Sequence, residues 1–519
     1  MEIVNNTHIS IRTRNPNKIQ NAIPASQIID QEDDVSTVLV PWGLPEAQHL
    51  RRLKFKTAPS PILRDYVWPG LHQPMEHQRT TAEFLTLHTR GFCFNEQGTG
   101  KTASAIWASD YLLTQGYIKR VLVVCPLSIM QAAWQRDLFQ FAIHRSVGVA
   151  HGNRQKRQQV IAGDYQYVII NFDGVEIVQK EIHAGGFDLI IIDEANAYKT
   201  ATTRRWKAMS KLIKADTWLW MMTGTPAAQS PVDAFGLGKL CVPANMPSFV
   251  GSWRDTVMYK LREFTYIPKP DAAERVHNAL QPAIRFTKAE CLDLPDVTYV
   301  DREAPLTPQQ KKYYELVRKE SLMIAGDEEV TAANAAVRIN KLLQISGGAV
   351  YASSGATLEF DVSNRLEAVR EIIDEASAKV LVFVPFTHTI DLLKTYLENK
   401  HIPCEVISGD VSATKRNDII QRFQSKDEKD LKALIIQPAA AAHGITLTAA
   451  NVVVWYAPVT STEIYLQANA RIDRHGQKNP MTVVHIVGSP VEEKLYRNLR
   501  GKLEEHTHVM DLYEEVMRG

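Results

Sequence analysis

Short runs of uninterrupted apolar residues, separated by longer stretches of mixed character, recur in two sets along the chain. The first set is Gly91–Phe94, Val121–Cys125, Tyr167–Ile170, Leu189–Ile192 and Trp218–Met222. The second is Val380–Val384, Cys404–Ile407, Ala433–Ile436, Val452–Trp455 and Thr482–Val487. A strand with one wet face alternates apolar and polar positions, whereas a continuous apolar run is buried on both faces, as parallel strands covered by helices are. The spacers supply those helices: Pro74 to Leu85 reads as a proline-started helix with an apolar face, and Ala103 to Leu113 as a second helix former. Between the two sets, Thr307 to Ile324 and Ala332 to Ile345 carry helical patterns without strand runs. The predicted class is therefore α/β, two parallel-sheet lobes in tandem with a helical connector. The expected boundaries are a small N-terminal accessory region over 1–70, a first lobe over 71–285, the connector over 286–360, and a second lobe with a C-terminal helix over 361–519.

Composition agrees with that division. A chain of 519 residues, 45% apolar and 23% charged, exceeds what one core organises and suits a globular protein of several domains. The formal charge of +1 gives no global basic signal, so a nucleic acid would have to be met by charge arranged locally. The basic cluster Arg51, Arg52, Lys54 and Lys56 reads more readily as solvated surface than as a phosphate contact. The five cysteines stand far apart with no zinc spacing, which fits free, mostly buried thiols in a reducing compartment. No charged lead with an apolar stretch opens the chain, and no apolar run approaches membrane-spanning length. A cytoplasmic protein with no membrane partner is expected.

The chemistry lies at one junction of the first set. Asn95-Glu-Gln-Gly-Thr-Gly-Lys-Thr102 follows the run Gly91–Phe94 and opens into a helix former, the strand, loop, helix order of a phosphate-binding loop. Gly98 and Gly100, flanking Thr99, tolerate the backbone angles that let N–H groups curl around an anion. The helix points its partly positive end at the same place. Lys101 has the reach to meet the outer phosphates of ATP, and the Thr102 hydroxyl stands where Mg2+ bridging two phosphates needs an oxygen. Asn95 occupies the position of the first glycine in the strict pattern. An ordinary glycine-rich turn is the competing reading, and the residues downstream weigh against it.

Another apolar run ends in Asp193-Glu194-Ala195-Asn196. Acids at the tip of a central parallel strand sit where such sheets place their ligands. Asp193 is positioned to hold Mg2+ through water, and Glu194 to orient the water that attacks the terminal phosphate. The next run closes in the tight polar turn Thr223-Gly-Thr-Pro226. Gln78 precedes the loop at a position from which an amide could read an adenine edge, although alone it reads as a surface glutamine. The second set has no phosphate loop of its own, so it is expected to supply groups in trans. Arg471 and Arg474, three apart, share a face if their segment is helical, and guanidinium groups suit the charge that spreads over a transferring phosphoryl group.

Taken in order, these motifs resemble the superfamily-two helicases and, within them, the Swi/Snf-type ATP-dependent DNA translocases. The resemblance covers roughly residues 71 to 505 and implies two RecA-like lobes. It casts Gln78 as the adenine-reading glutamine, Gly98 to Thr102 as the phosphate loop, and Val123-Val-Cys-Pro-Leu-Ser128 as the first DNA-contacting motif, with Ser128 on DNA. Asp193 to Asn196 is similar to the motif that names the wider class, and Thr223 to Pro226 to the motif that couples the lobes. Asn196, Thr223, Thr225 and Gln467 are thereby implied in coupling. Lys341-Leu-Leu-Gln-Ile345 is similar to the helical segment that this group places between its lobes. Val382 to Thr387 and Gly444 to Thr448 resemble second-lobe DNA motifs and put Thr387 and Thr446 on DNA, while Gln467 to Gln477 resembles the arginine-finger motif. The chain departs from the pattern at Asn196, where a histidine is usual, at Ala441 and Ala442, where glycines are common, and at Thr460-Ser461, in place of a Trp-Asn pair. Its length resembles a bacterial or phage version. The resemblance implies a nucleic-acid-dependent ATPase using ATP and Mg2+ on DNA, duplex and sequence-tolerant, with a replication, repair or transcription complex as a further partner. An RNA helicase, a polymerase-recycling translocase and a nucleotide-gated scaffold are the rival readings.

Overall fold

Every apolar run of the two sets is a strand in the structure, a computed structural model that describes residues 1–500 apart from 56–57, 71, 225–226, 228–229, 263–264, 292–296, 328–331, 352–356, 426–430, 442–445, 474–476 and 478. The chain divides into two units, Met1–Cys291 and Leu292–Gly519.

The first unit begins with an antiparallel sheet. Strands β1 (Glu2–Val4), β2 (His8–Thr13), β3 (Gln27–Glu32) and β4 (Val35–Pro41) pair in the order β1-β2-β4-β3. β4 alternates buried and half-buried residues along its length, the mark of a sheet with one covered face. Ile9, Ile11, Val38 and Val40 pack there with Ile19, Ile23, Trp42 and Leu50. Arg51, expected on the surface, instead turns inward to donate through Nε to the Ala58 carbonyl at 3.0 Å.

Next come β5 (Arg90–Cys93), β6 (Val121–Cys125), β7 (Val147–Ala150), β8 (Tyr167–Asn171), β9 (Leu189–Asp193) and β10 (Trp218–Met222), then a separate hairpin of β11 (Met258–Arg262) and β12 (Thr265–Pro268), and finally β13 (Ala283–Ile284). Seven of these form one parallel sheet in the order β13-β5-β10-β9-β6-β8-β7. The central strands β6, β8 and β9 are buried at every residue. Register places Cys93, Met222 and Asp193 side by side across β5, β10 and β9. The chain therefore leaves all three strands at one edge, where a parallel sheet meets its ligands.

The second unit holds β14 (Val297–Glu303), a hairpin of β15 (Ala349–Tyr351) and β16 (Thr357–Glu359), then β17 (Lys379–Phe383), β18 (Cys404–Ile407), β19 (Ala433–Ile436), β20 (Ala450–Trp455) and β21 (Met481–Val487). Its parallel sheet runs β14-β21-β20-β17-β19-β18. Helices Pro308–Asp327 and Ala332–Gly347 occupy the expected connector. β14 lies in the same stretch, yet it is an edge strand of the second sheet. From Thr298 to Glu303 its residues are exposed, so no apolar run announces it. A C-terminal helix covers 490–500 of the described residues. Among the described residues no helix is long and apolar enough to cross a membrane.

Candidate functional site

The loop after β5 is fixed before any ligand is considered. Asn95, 1% exposed, donates through Nδ2 to Thr81 Oγ1 at 2.8 Å and accepts the Phe286 N–H on Oδ1 at 3.0 Å. The residue standing in for a glycine is thus a bracket between the helix Glu76–Leu87, the loop and the segment after β13. The Arg285 guanidinium closes the same side, donating to the Phe94 carbonyl at 3.1 Å and to Glu96 Oε1 at 3.0 Å.

Gly98 and Gly100 both adopt left-handed angles, with φ of 91° and 82°. A Cβ on Gly100 would also meet Gln78 Nε2, so a side chain there would be strained by its backbone angle and would displace that amide. Gln78 is held at both ends of its amide: Oε1 accepts the Met75 N–H at 3.0 Å, and Nε2 donates to the Thr99 carbonyl at 3.3 Å. Its neighbour His77, 6% exposed, sets Nε2 2.8 Å from that same carbonyl. Sequence reading passed over His77; its signal was helical spacing, since 77, 81 and 85 all lie on the buried face.

Lys101 donates from Nζ to the carbonyls of Asn95 at 2.8 Å and Glu96 at 3.3 Å, which curls its amine over the loop. Thr99 is buried and Thr102 half-buried at the start of the helix Lys101–Thr114. That helix has no acidic residue in its first turn to offset its partly positive end.

Asp193 ends β9, 7% exposed. Its Oδ1 accepts the Glu194 N–H at 3.0 Å and its Oδ2 the Trp134 indole N–H at 2.9 Å. Burial pushes this carboxyl above its ordinary range, opposed by the Lys101 charge and by the two hydrogen bonds. Glu194 takes left-handed backbone angles, with φ of 53°, a conformation that a residue with a side chain holds only when its surroundings impose it. Asn196 is buried on the following turn. At the end of β10, Thr223 is fully buried and its N–H donates to the Cys93 carbonyl at 3.1 Å. Gly224 then lies close to the loop, where a Cβ would stand 3.2 Å from Gln97 Cγ. Thr225 lies outside the described residues.

The donor set fits a magnesium nucleotide. Among the described residues no three His, Cys, Asp or Glu side chains gather into a metal cage. A magnesium ion here would rest on Asp193, the Thr102 hydroxyl, water and phosphate oxygens, as such ions do.

The remaining candidates lie elsewhere in the two units. Ser128 sits in the turn Leu127–Ile129 after β6, and its buried Oγ finds no partner among the described residues. Thr387 is exposed as the first residue of the helix Thr387–Asn399, just past β17. Thr446 is half-buried ahead of β20. The neighbouring Leu447 N–H donates to the Arg471 carbonyl at 3.0 Å. Arg471 is 2% exposed and donates through Nε to the Gln467 carbonyl at 2.9 Å. Gln467, also buried, donates to Glu463 Oε1 at 3.3 Å. The helix Thr462–Asn469 stops short of Arg471, and the chain turns at Ala470 to bring Arg471 against Leu447. Arg474 lies outside the described residues.

Known proteins resemble this chain over most of its length. The uncharacterized ATP-dependent helicase MG018 of Mycoplasma genitalium is 27% identical over 433 residues, covering 81% of this chain and 40% of its own length. Protein p41 of Acyrthosiphon pisum secondary endosymbiont phage 1 is 22% identical over 470 residues, 86% of this chain and 98% of its own. A solved structure described as the Sulfolobus solfataricus SWI2/SNF2 ATPase core in complex with dsDNA is 23% identical and covers 85% of this chain and 94% of its own, with a TM-score of 0.41. The chain spans about two fifths of the length of the first curated relatives it matches. Residues 77–346 match the SNF2-related domain and residues 364–476 the helicase conserved C-terminal domain, and the chain belongs to the SNF2-related family.

Proposed function

We propose that this protein is a nucleic-acid-dependent ATPase that couples ATP hydrolysis to movement along duplex DNA, remodelling DNA or protein–DNA complexes. One observation carries the reading: register brings the phosphate loop, Asp193 and Thr223 to neighbouring strand ends of one sheet. That placement serves a triphosphate. Magnesium would neutralise phosphate charge as the terminal bond breaks. Gly98 to Thr102 would cradle the phosphates, and Gln78, anchored on the loop, would meet the base. Glu194 would orient the attacking water, and Arg471 and Arg474 would offset charge on the transferring group. Asn196, Thr223, Thr225 and Gln467 would couple nucleotide state to lobe movement. Ser128, Thr387 and Thr446 would hold DNA at phosphates, which carry no sequence code and make binding sequence-tolerant and weaker in salt.

The test is ATP turnover by the purified chain alone, then with single-stranded DNA, duplex DNA and RNA. Duplex DNA is expected to stimulate most. Stimulation by RNA alone would transfer the protein to the RNA helicases, and no stimulation by any nucleic acid would leave a nucleotide-gated scaffold. Lys101→Ala should lose nucleotide binding. Glu194→Gln should bind nucleotide as the parent does and turn over at least about a hundredfold more slowly; unchanged turnover would remove Glu194 from its role.

A further inference from the structure

The Asp193 carboxylate is oriented from two sides. One oxygen takes the N–H of the next residue in its own strand exit, a bond any strand end can offer. The other takes an indole N–H from a residue 59 positions away. Trp134 is fully buried and belongs to the π-helical stretch Met130–Gln135, which begins immediately after the turn that carries Ser128. β6, from which that turn emerges, is the sheet neighbour of β9. A π-helical turn is a rare way to continue a helix, and such turns concentrate at functional sites. Here the wider turn belongs to the residue whose N–H meets Asp193. A tryptophan kept only for packing needs no acceptor on a buried carboxylate at the nucleotide edge of the sheet.

We propose that Trp134 is a positioning residue: its indole N–H fixes the Asp193 carboxylate in the orientation that holds the magnesium ion of a bound nucleotide, and its place in the Ser128 segment makes that orientation responsive to DNA. The inference rests on the reading of Asp193 as the residue that holds magnesium. Groups that orient a metal-holding side chain through a hydrogen bond are typically worth about ten- to a hundredfold in metal affinity. A contact at Ser128 that shifts the register of the π-helical turn alters the donor to Asp193, which ties polyanion binding to metal binding by linkage.

The experiment is a magnesium titration of fluorescent ADP binding to the full chain, with no turnover involved. Trp134→Phe keeps a ring in the core and removes the N–H. The expected result is a rise in half-saturating magnesium of about tenfold or more, with thermal melting of the nucleotide-free protein close to the parent. A folded variant with the parent's magnesium requirement overturns the proposal, because packing alone would give that outcome. In the second arm, duplex DNA should lower half-saturating magnesium in the parent and leave it unmoved in Trp134→Phe; an equal response in both overturns the link to Ser128. A parent that ignores DNA altogether counts against the translocase reading and the Ser128 link, while the DNA-free titration still decides the Trp134 bond. If Trp134→Phe does not fold, the parent labelled at its nine tryptophans answers by NMR. An indole N–H signal must move when magnesium joins the ADP-bound protein and must stay still in Asp193→Asn; no moving indole signal overturns the proposal.

Discussion

Asn95 carries a prediction opposite to the one a motif pattern suggests. Asn95→Gly restores the strict nucleotide-loop string, yet it removes one hydrogen bond from the buried Thr81 hydroxyl, which keeps its bond to the His77 carbonyl, and strips the side-chain acceptor from the half-buried Phe286 N–H. Losing a hydrogen bond of this kind costs about 0.5–1.5 kcal/mol each, so Asn95→Gly should lower the urea midpoint of the first unit and weaken nucleotide binding. Equal stability would show the bracket to be dispensable. The loop itself was legible because its chemistry constrains residue types: glycines where φ is positive, a lysine with reach, a hydroxyl at the helix start. The Asn95 bracket was not, since its partners lie 14 and 191 positions away and no local pattern announces a contact of that separation. Arg471 was legible as a guanidinium and illegible as a buried one.

Helices and strands show the same division. Interior strands announced themselves because burial on both faces demands unbroken apolar runs. β7, β13 and β14 went unread: β7 and β14 close the edges of their sheets, β7 alternates, β14 is mostly exposed, and β13 has two residues. In the second unit the helix Ser363–Glu375 is clamped to the 490–500 helix by Arg365 and Glu492, 2.8 Å apart, whose side chains are 3% and 0% exposed. The Arg365 guanidinium also donates to the Tyr456 carbonyl, and Glu492 Oε2 accepts from the Gly488 N–H and the Ser489 hydroxyl. Removing one member of a buried pair strands the other charge, at about 3–5 kcal/mol. Arg365→Met should therefore destabilise the second unit by that amount, and Arg365→Met with Glu492→Gln should recover part of it. A double variant as unstable as the sum of its single changes would show that the two groups do not interact.

Across the whole molecule, the fully buried His485 and the half-buried His88 each make stability depend on pH. Burial pushes His485 down to about 4, and the Arg500 charge adds to the effect while Asp301 opposes it. Its ring stacks on Tyr496 at 4.2 Å and its Nε2 lies 2.8 Å from the Tyr465 hydroxyl. In the first unit His88 is pushed to about 4, again chiefly by burial. An unfolded histidine takes up its proton near pH 6.5. Between that value and about 4 the unfolded chain binds protons that the folded chain refuses, so stability falls as pH falls through this window. For His485 the loss approaches about 3 kcal/mol. Melting temperature should decline from pH 7 to pH 5 in both units, and His485→Phe should flatten the decline in the second unit only; an unchanged slope would show that His485 titrates normally. The tandem lobes and the connector helices were readable at this scale because each is a repeat of one pattern. The antiparallel N-terminal sheet was not, because no unbroken apolar run marks it: β4 alternates buried and half-buried residues and β3 is exposed throughout.

The Asn95 bracket also bears on when the phosphate loop gains its full support as the chain leaves the ribosome. The loop emerges early, but the amide that steadies it belongs to Phe286, 191 positions later. A nascent chain stalled before that point carries every residue of the phosphate cradle and lacks its clasp. Full nucleotide affinity is therefore expected only after translation has passed the end of the first sheet.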